Sequence, residues 1–353
     1  MKYPRFELTG VVERPSWWLV RPEEIKNICQ NTVKGKCSCE ALTPAGLEVF
    51  QVVYNDYEHT GNKLNWISAV GCPHPEIFGR KGDQPQTVLL CGGIHGCEAE
   101  GTVLLLNLIS LLETGLDLRG KERPRLLELC EKFRLVLFPC VNMDGRAISP
   151  DHRLNADVEE CRRAGGGWWK NGETIRWPGI KEYFPLPLSE VGYPGGYPNS
   201  EGYNIQLDGA PGNIKTREAA ALLRAAGEKC VDLFVNLHSQ PEGPGPGLMA
   251  PSVVNPPQVI EVEKELVLRC GRAMHAQLGY PWDESGGVMT SVRLDINNCV
   301  TFASGAPTLT IEFPARLGKS FDNLLETGYL YLETILSYGT EKLFCDRAKW
   351  KAK

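Results

Sequence analysis

Three things are scarce in this chain of 353 residues, and each shortage closes off a class of function. No run of about 18 apolar residues occurs, so no membrane-spanning helix and no membrane partner are expected. Positive charge is not in excess: 38 Lys and Arg face 43 Asp and Glu, for a net charge of −5. Without a basic patch, the phosphate contacts that dominate nucleic-acid binding have no source. The one basic cluster, Lys349-Trp350-Lys351-Ala352-Lys353, reads as a solvated tail. Met1-Lys2-Tyr3-Pro4-Arg5 has charges and a proline where a secretory signal needs an apolar core, so the expected compartment is the cytoplasm.

Cysteine is plentiful at 13, but cysteine pairing is not. Cys91, Cys140, Cys230 and Cys270 lie inside apolar runs, where a thiol behaves as a small hydrophobe. An odd, scattered set argues against a disulfide framework. Cys37-Ser38-Cys39 has no second Cys or His pair nearby, and two ligands do not close a structural zinc site.

What is present is an alternation of strands and helices. Residues 1–47 read as irregular, with turns at Pro15-Ser16 and Thr43-Pro44-Ala45-Gly46. Strands are expected over 47–54, 64–70, 87–91, 133–138, 231–237 and 308–311. Helices are expected over 98–114, stopped by Gly115, and over 215–226, 258–278 and 322–337. Residues 147–213 hold much Gly, Pro and Trp with little periodicity, the mark of an ordered, functional excursion. Alternation of this kind implies a largely parallel sheet covered on both faces, with sites at the carboxyl ends of its strands.

Histidine is also sparse, at six, so its positions carry weight. His59 and His74 fall in polar turns, His275 sits on a helix, and His152 beside Arg153 is the one to watch among the rest. His95 follows the strand Thr87-Val88-Leu89-Leu90-Cys91 in the turn Gly92-Gly93-Ile94-His95-Gly96-Cys97-Glu98. His238 follows Val231-Asp232-Leu233-Phe234-Val235-Asn236-Leu237, and Glu312 follows Thr308-Leu309-Thr310-Ile311. A His-x-x-Glu pair alone is weak, since acidic residues are common. His238 alone suits a structural histidine, and Glu312 alone suits a strand-end ion pair. Three apolar strands delivering such groups at the same end are hard to explain as packing. His95, Glu98 and His238 make a His₂Glu set that leaves a fourth zinc position for water, and Glu312 can serve as general base.

Strand-Gly-Gly-x-His-x-x-Glu, then Asn142-Met143-Asp144-Gly145-Arg146, then Leu237-His238-Ser239, then Thr308-x-Thr310-x-Glu312 resemble the zinc metallocarboxypeptidases, carboxypeptidase A-like, from about residue 48 to 335. The resemblance implies a three-layer α/β/α domain around a mixed, mainly parallel central sheet. It implies one zinc per chain on His95, Glu98 and His238, with Glu312 as base. Domain limits follow: 1–47 an N-terminal extension packed on the catalytic domain, 48–340 that domain, and 341–353 a tail.

The sequence also departs from the family. The Asn-Arg pair that usually holds a substrate's terminal carboxylate has its nearest match in Tyr203-Asn204-Ile205, with isoleucine in the arginine's place. Cys97 stands where arginine is common. Arg153 is the first choice for polarising the scissile carbonyl and Arg146 the second, with Arg146 and Asn204 as substrate contacts. Trp168-Trp169 and Trp177 either wall the pocket or form the loop's own core. The segment from Gly286-Gly287 to Ala306 is a candidate lid, and Gly243-Pro244-Gly245-Pro246-Gly247 a rigid rim. The expected substrate is a peptide. The alternatives are an N-acyl amino acid, as for aspartoacylase-like deacylases, and a binding module without catalysis, which would be expected to lack one of these four residues.

Overall fold

The computed structural model describes residues 2–58, 84–177, 179–210, 212–243, 247–249, 254–282 and 294–346. In chain order the elements are α1 (Pro22–Gln30), β1 (Lys36–Leu42), β2 (Glu48–Tyr54), β3 (Gln86–Gly92), α2 (Ala99–Thr114), α3 (Pro124–Cys130) and β4 (Phe133–Phe138). The long excursion supplies α4 (Met143–Ile148), α5 (Val158–Gly166), β5 (Trp168–Trp169) and β6 (Val191–Tyr193). Then come α6 (Arg217–Glu228), β7 (Leu233–Gln240), β8 (Gly247–Met249), α7 (Pro257–Leu278), α8 (Ile296–Ser304), β9 (Thr308–Pro314) and α9 (Phe321–Glu341).

Among the described residues, seven strands form one sheet in the order β1-β2-β4-β3-β7-β9-β8. Its middle four, β4, β3, β7 and β9, run parallel, and antiparallel strands flank them. Parallel strands are covered on both faces, which is why β3 and β4 are mostly apolar and buried at every position. Helices α1, α2, α3, α7 and α9 form one packed group, and α6 with α8 another.

Two glycines set the depth of the site. An added Cβ on Gly92 would lie 2.7 Å from the backbone of Gly101 and Thr102, and one on Gly101 would lie 2.6 Å from Leu237. Helix α2 therefore starts directly against the ends of β3 and β7, and a side chain at its N-cap, Glu98, projects between them. Gly93, at φ +57, turns the chain out of β3 in a conformation that side-chain-bearing residues rarely adopt.

Several expectations need correction. Residues 1–47 are not irregular: α1 buries Ile25 and Cys29, and β1 joins the main sheet at its edge. The expected strand over 64–70 lies outside the described residues, as do His59, His74, residues 244–246 and residues 283–293. Within the described part of the candidate lid, 294–306, residues 296–304 form the helix α8, capped by Asp295. The C-terminal helix α9 runs past 337 to Glu341.

Candidate metal centre and substrate cavity

His95 lies in the turn after β3, Glu98 occupies the N-cap position of α2, and His238 is on β7, where it sits in register beside Glu312 of β9. One ligand atom from each of His95, Glu98 and His238 lies within 4.8 Å of the others. Glu98 stands in the middle: its Oε1 is 2.9 Å from Nδ1 of His95, and its Oε2 is 2.9 Å from Nδ1 of His238. The far nitrogens are also occupied. Nε2 of His95 lies 3.2 Å from Asn204 Oδ1, and Nε2 of His238 lies 3.2 Å from Gln206 Oε1.

Both nitrogens of both imidazoles therefore face oxygen acceptors. A neutral imidazole has one donor and one lone pair, so it cannot satisfy acceptors on both sides. A cation shared by the two Nδ1 atoms and the carboxylate removes the conflict, leaving Nε2–H to donate to the amide oxygens. The donor set of two imidazoles and one carboxylate fits zinc, with room in its coordination for a further ligand. Burial alone would push the Glu98 carboxyl up, but the two histidines outweigh it and hold Glu98 well below the usual carboxylate range.

A cavity of about 580 Å³ opens on this cluster. His95, Glu98, His238, Ser239, Glu312, Gln206, Leu207, Asp295 and Thr310 line its inner part. Arg162, Arg176, Trp177 and Lys181 line it from the long excursion, together with Tyr197. Tyr197 is a residue that sequence reasoning did not single out. Its ring meets His95 edge-on at 4.5 Å, and burial, with Cys97, Glu98 and Glu312 nearby, raises its hydroxyl well above the ordinary tyrosine value. Its hydroxyl stays protonated.

The two arginines are elsewhere. Neither Arg153 nor Arg146 is among the residues lining this cavity. Arg146 is wholly buried on α4 and donates to the carbonyls of Ser149 and Pro150; burial pushes its pKa down to about 10. Arg153 is also buried, and its Nη2 donates to the carbonyl and Oγ of Ser239 at 2.9 and 2.7 Å. Ser239 in turn donates its N–H to Glu98 and its Oγ–H to the buried Glu100. Desolvation works against the charge on Arg153, yet Cys97, Glu100 and Glu98 hold its pKa above the ordinary value. It braces the metal cluster from behind.

Asn204, expected to contact substrate, instead holds His95 and accepts from the Gln206 N–H at 3.1 Å. The tryptophans divide between the two roles considered. Trp168 stacks on Tyr193, and Trp169 packs on Tyr183 within the excursion's small core. Trp177 is half exposed at the cavity, 6.4 Å from His95, with Lys181 over its face. The two other described histidines make structural hydrogen bonds: His152 donates from Nε2 to the Val12 carbonyl, and His275 bonds the Tyr280 carbonyl.

Comparisons with known proteins agree with this geometry. Residues 59–179 match the zinc carboxypeptidase family model. No curated protein matches the chain by sequence. Among solved structures, a metallo-carboxypeptidase from Burkholderia cenocepacia is similar with a TM-score of 0.55 at 13% identity, over 90% of this chain and 68% of that one. A metallo-carboxypeptidase from Pseudomonas aeruginosa, solved with (2-guanidinoethylmercapto)succinic acid, gives 0.51 at 14% identity over 90% and 68%. Thrombin activatable fibrinolysis inhibitor gives 0.55 at 10% identity over 93% and 76%. Identities this low speak for the fold alone. The chain thus carries a zinc carboxypeptidase family segment over residues 59–179, shares its fold with metallocarboxypeptidases, and brings together a His-Glu-His set that suits zinc.

Proposed function

We propose that the chain hydrolyses a peptide or amide bond, with one zinc held by His95, Glu98 and His238 and with Glu312 as general base. The observation that carries this reading is the register of β7 and β9, which sets Glu312 beside His238 on the wall of the same cavity. Zinc bound there would polarise a carbonyl and lower the pKa of water. Glu312 then takes the proton of the attacking water and returns it to the leaving nitrogen. The protonated Tyr197 hydroxyl is the donor for a developing oxyanion, a role in which Arg153 is limited to bracing Ser239 and Glu98. Glu312→Gln is expected to keep zinc and lose about 10²–10⁴-fold in turnover. Undiminished turnover in that variant would refute the assignment.

A second reading, N-acyl amino-acid deacylation, is favoured by one feature. The inner wall offers Gln206, Leu207, Thr310 and Asp295, none of them a cation, while the cavity's Arg162, Arg176 and Lys181 all come from the excursion. Among the described residues, a peptide's terminal carboxylate has no arginine on that wall. Rates on a matched panel of peptides and N-acyl amino acids decide between the two substrate classes.

A further inference from the structure

Beneath the metal cluster runs a buried chain of amides that ends in a carboxylate. Gln206 Oε1 faces His238 Nε2 at 3.2 Å and accepts from Asn236 Nδ2 at 2.8 Å. Gln206 Nε2 donates to Asp295 Oδ2 at 3.1 Å and to Asn297 Oδ1 at 3.3 Å. Asn236 Nδ2 also donates to Asn297 Oδ1 at 3.0 Å, and Asn297 Nδ2 donates to Thr310 Oγ1 at 3.0 Å. Asp295, Gln206, Asn236 and Asn297 are all buried.

An amide can be turned either way, and turning it exchanges a donor for an acceptor. An ionised carboxylate can only accept. At the N-terminus of α8 both oxygens of Asp295 serve as acceptors: Oδ1 takes the N–H of Asn297 at 3.0 Å and of Asn298 at 3.4 Å, and Oδ2 takes the Gln206 amide N–H at 3.1 Å. Gln206 must therefore aim its NH₂ at Asp295 and its oxygen at His238. His238 must then carry its proton on Nε2, which leaves the Nδ1 lone pair free towards Glu98 and the metal.

We propose that Asp295 is a positioning residue for the metal centre: through Gln206 it fixes the tautomer in which His238 can bind zinc. Among the described residues no hydrogen bond joins Asp295 to a metal ligand, so its influence passes through the amide. An amide at position 295 would still cap α8, since Asn caps as well as Asp. Its NH₂ would, however, oppose the NH₂ of Gln206. Reversal of Gln206 would put a donor against His238 Nε2 and drive the imidazole proton to Nδ1, where it blocks the metal.

The test is zinc affinity of the purified chain, measured by competition with a chromophoric chelator, for wild type, Asp295→Asn and Gln206→Met. Both variants are expected to bind zinc about 10–100-fold more weakly, the loss typical when a ligand's hydrogen-bond partner is removed. The thermal unfolding of zinc-free Asp295→Asn should match that of zinc-free wild type, because the cap survives. In ¹H–¹⁵N spectra of the zinc-loaded proteins, the His238 Nε2–H signal should be protected from exchange in wild type and exchange faster in Asp295→Asn. The proposal rests on the zinc reading above. A wild type that takes up no zinc would overturn both, whereas zinc-binding wild type with an equally tight Asp295→Asn would overturn this one alone.

Discussion

At the floor of the cavity, His95, Glu98, His238 and Glu312 stand on or just beyond the ends of three neighbouring strands. At its mouth, Arg162, Arg176, Trp177 and Lys181 belong to an excursion with a small core of its own, built on Ile175, Ile180, Leu186 and Val191. His95, Glu98 and His238 are buried and Glu312 is half-buried, and each of the two histidines is hydrogen-bonded on both sides. The mouth is held by exposed ion pairs, Arg162 with Glu242 at 2.6 Å and Arg176 with Glu159 at 3.1 Å. Such pairs contribute about 0–1 kcal/mol each, so side chains at the mouth can exchange partners with little loss. On the proposed reading, chemistry that needs fixed geometry rests on the sheet, and contacts that select substrate rest on the loop.

The contrast breaks most readily at Arg153. Arg153→Met would leave Glu100 and Glu98 without the buried guanidinium that balances them. Removing one partner from a buried charge cluster costs about 3–5 kcal/mol. Chemical denaturation should show a loss of that order, with weaker zinc uptake alongside it. Unchanged stability would mean that the floor is not braced through Ser239.

A smaller effect is expected at the seam between excursion and sheet. Glu218 on α6 is buried, its Oε1 accepts from Asn199 Nδ2 at 3.1 Å, and burial lifts its carboxyl to about 7. A raised folded-state pKa means that the unfolded chain ionises first as pH rises. This group's contribution to stability is therefore full below the ordinary glutamate pKa and falls as pH climbs to about 7. Glu218→Gln should be more stable than wild type at pH 8, by a few kcal/mol at most, with the gap closing in acid. Melting curves across that range check the sign; a gap that widens in acid would refute it.

Smaller again is the change expected at the mouth. Trp177→Ala should raise KM while leaving kcat and zinc content near wild type, because the indole is half exposed and offers apolar surface to substrate. Arg176→Ala should shift stability by no more than about 1 kcal/mol, and any kinetic change should favour less anionic substrates. A collapse of zinc binding in either variant would erase the distinction between floor and mouth.

The floor was legible in the sequence because the parallel strands that build it are apolar runs, and each ends abruptly in a polar or glycine-rich turn. Its candidate ligands could be picked out as the polar residues at those endings. Other parts were hidden for physical reasons. β1 is an edge strand, exposed or half-buried along its length, and offers no apolar signature. α8 buries Asn297, Asn298 and Thr301 through side-chain hydrogen bonds, so apolar periodicity does not mark it as a helix. Arg153 is drawn inward by Glu100 and Ser239, which are remote in the chain, and no local pattern records that pairing. Tyr197 and Trp177 reach the cavity through an excursion whose path depends on tight turns and contacts within its own core.

The central claim is tested most directly by zinc content and hydrolysis measured together on wild type and His238→Ala, with a mixed panel of peptides and N-acyl amino acids. The account predicts about one zinc per wild-type chain, as a single three-ligand catalytic site requires, with metal and turnover lost together in the variant. Wild type that stays metal-free and inactive after incubation with zinc, or a His238→Ala chain that binds zinc and turns over normally, would contradict it.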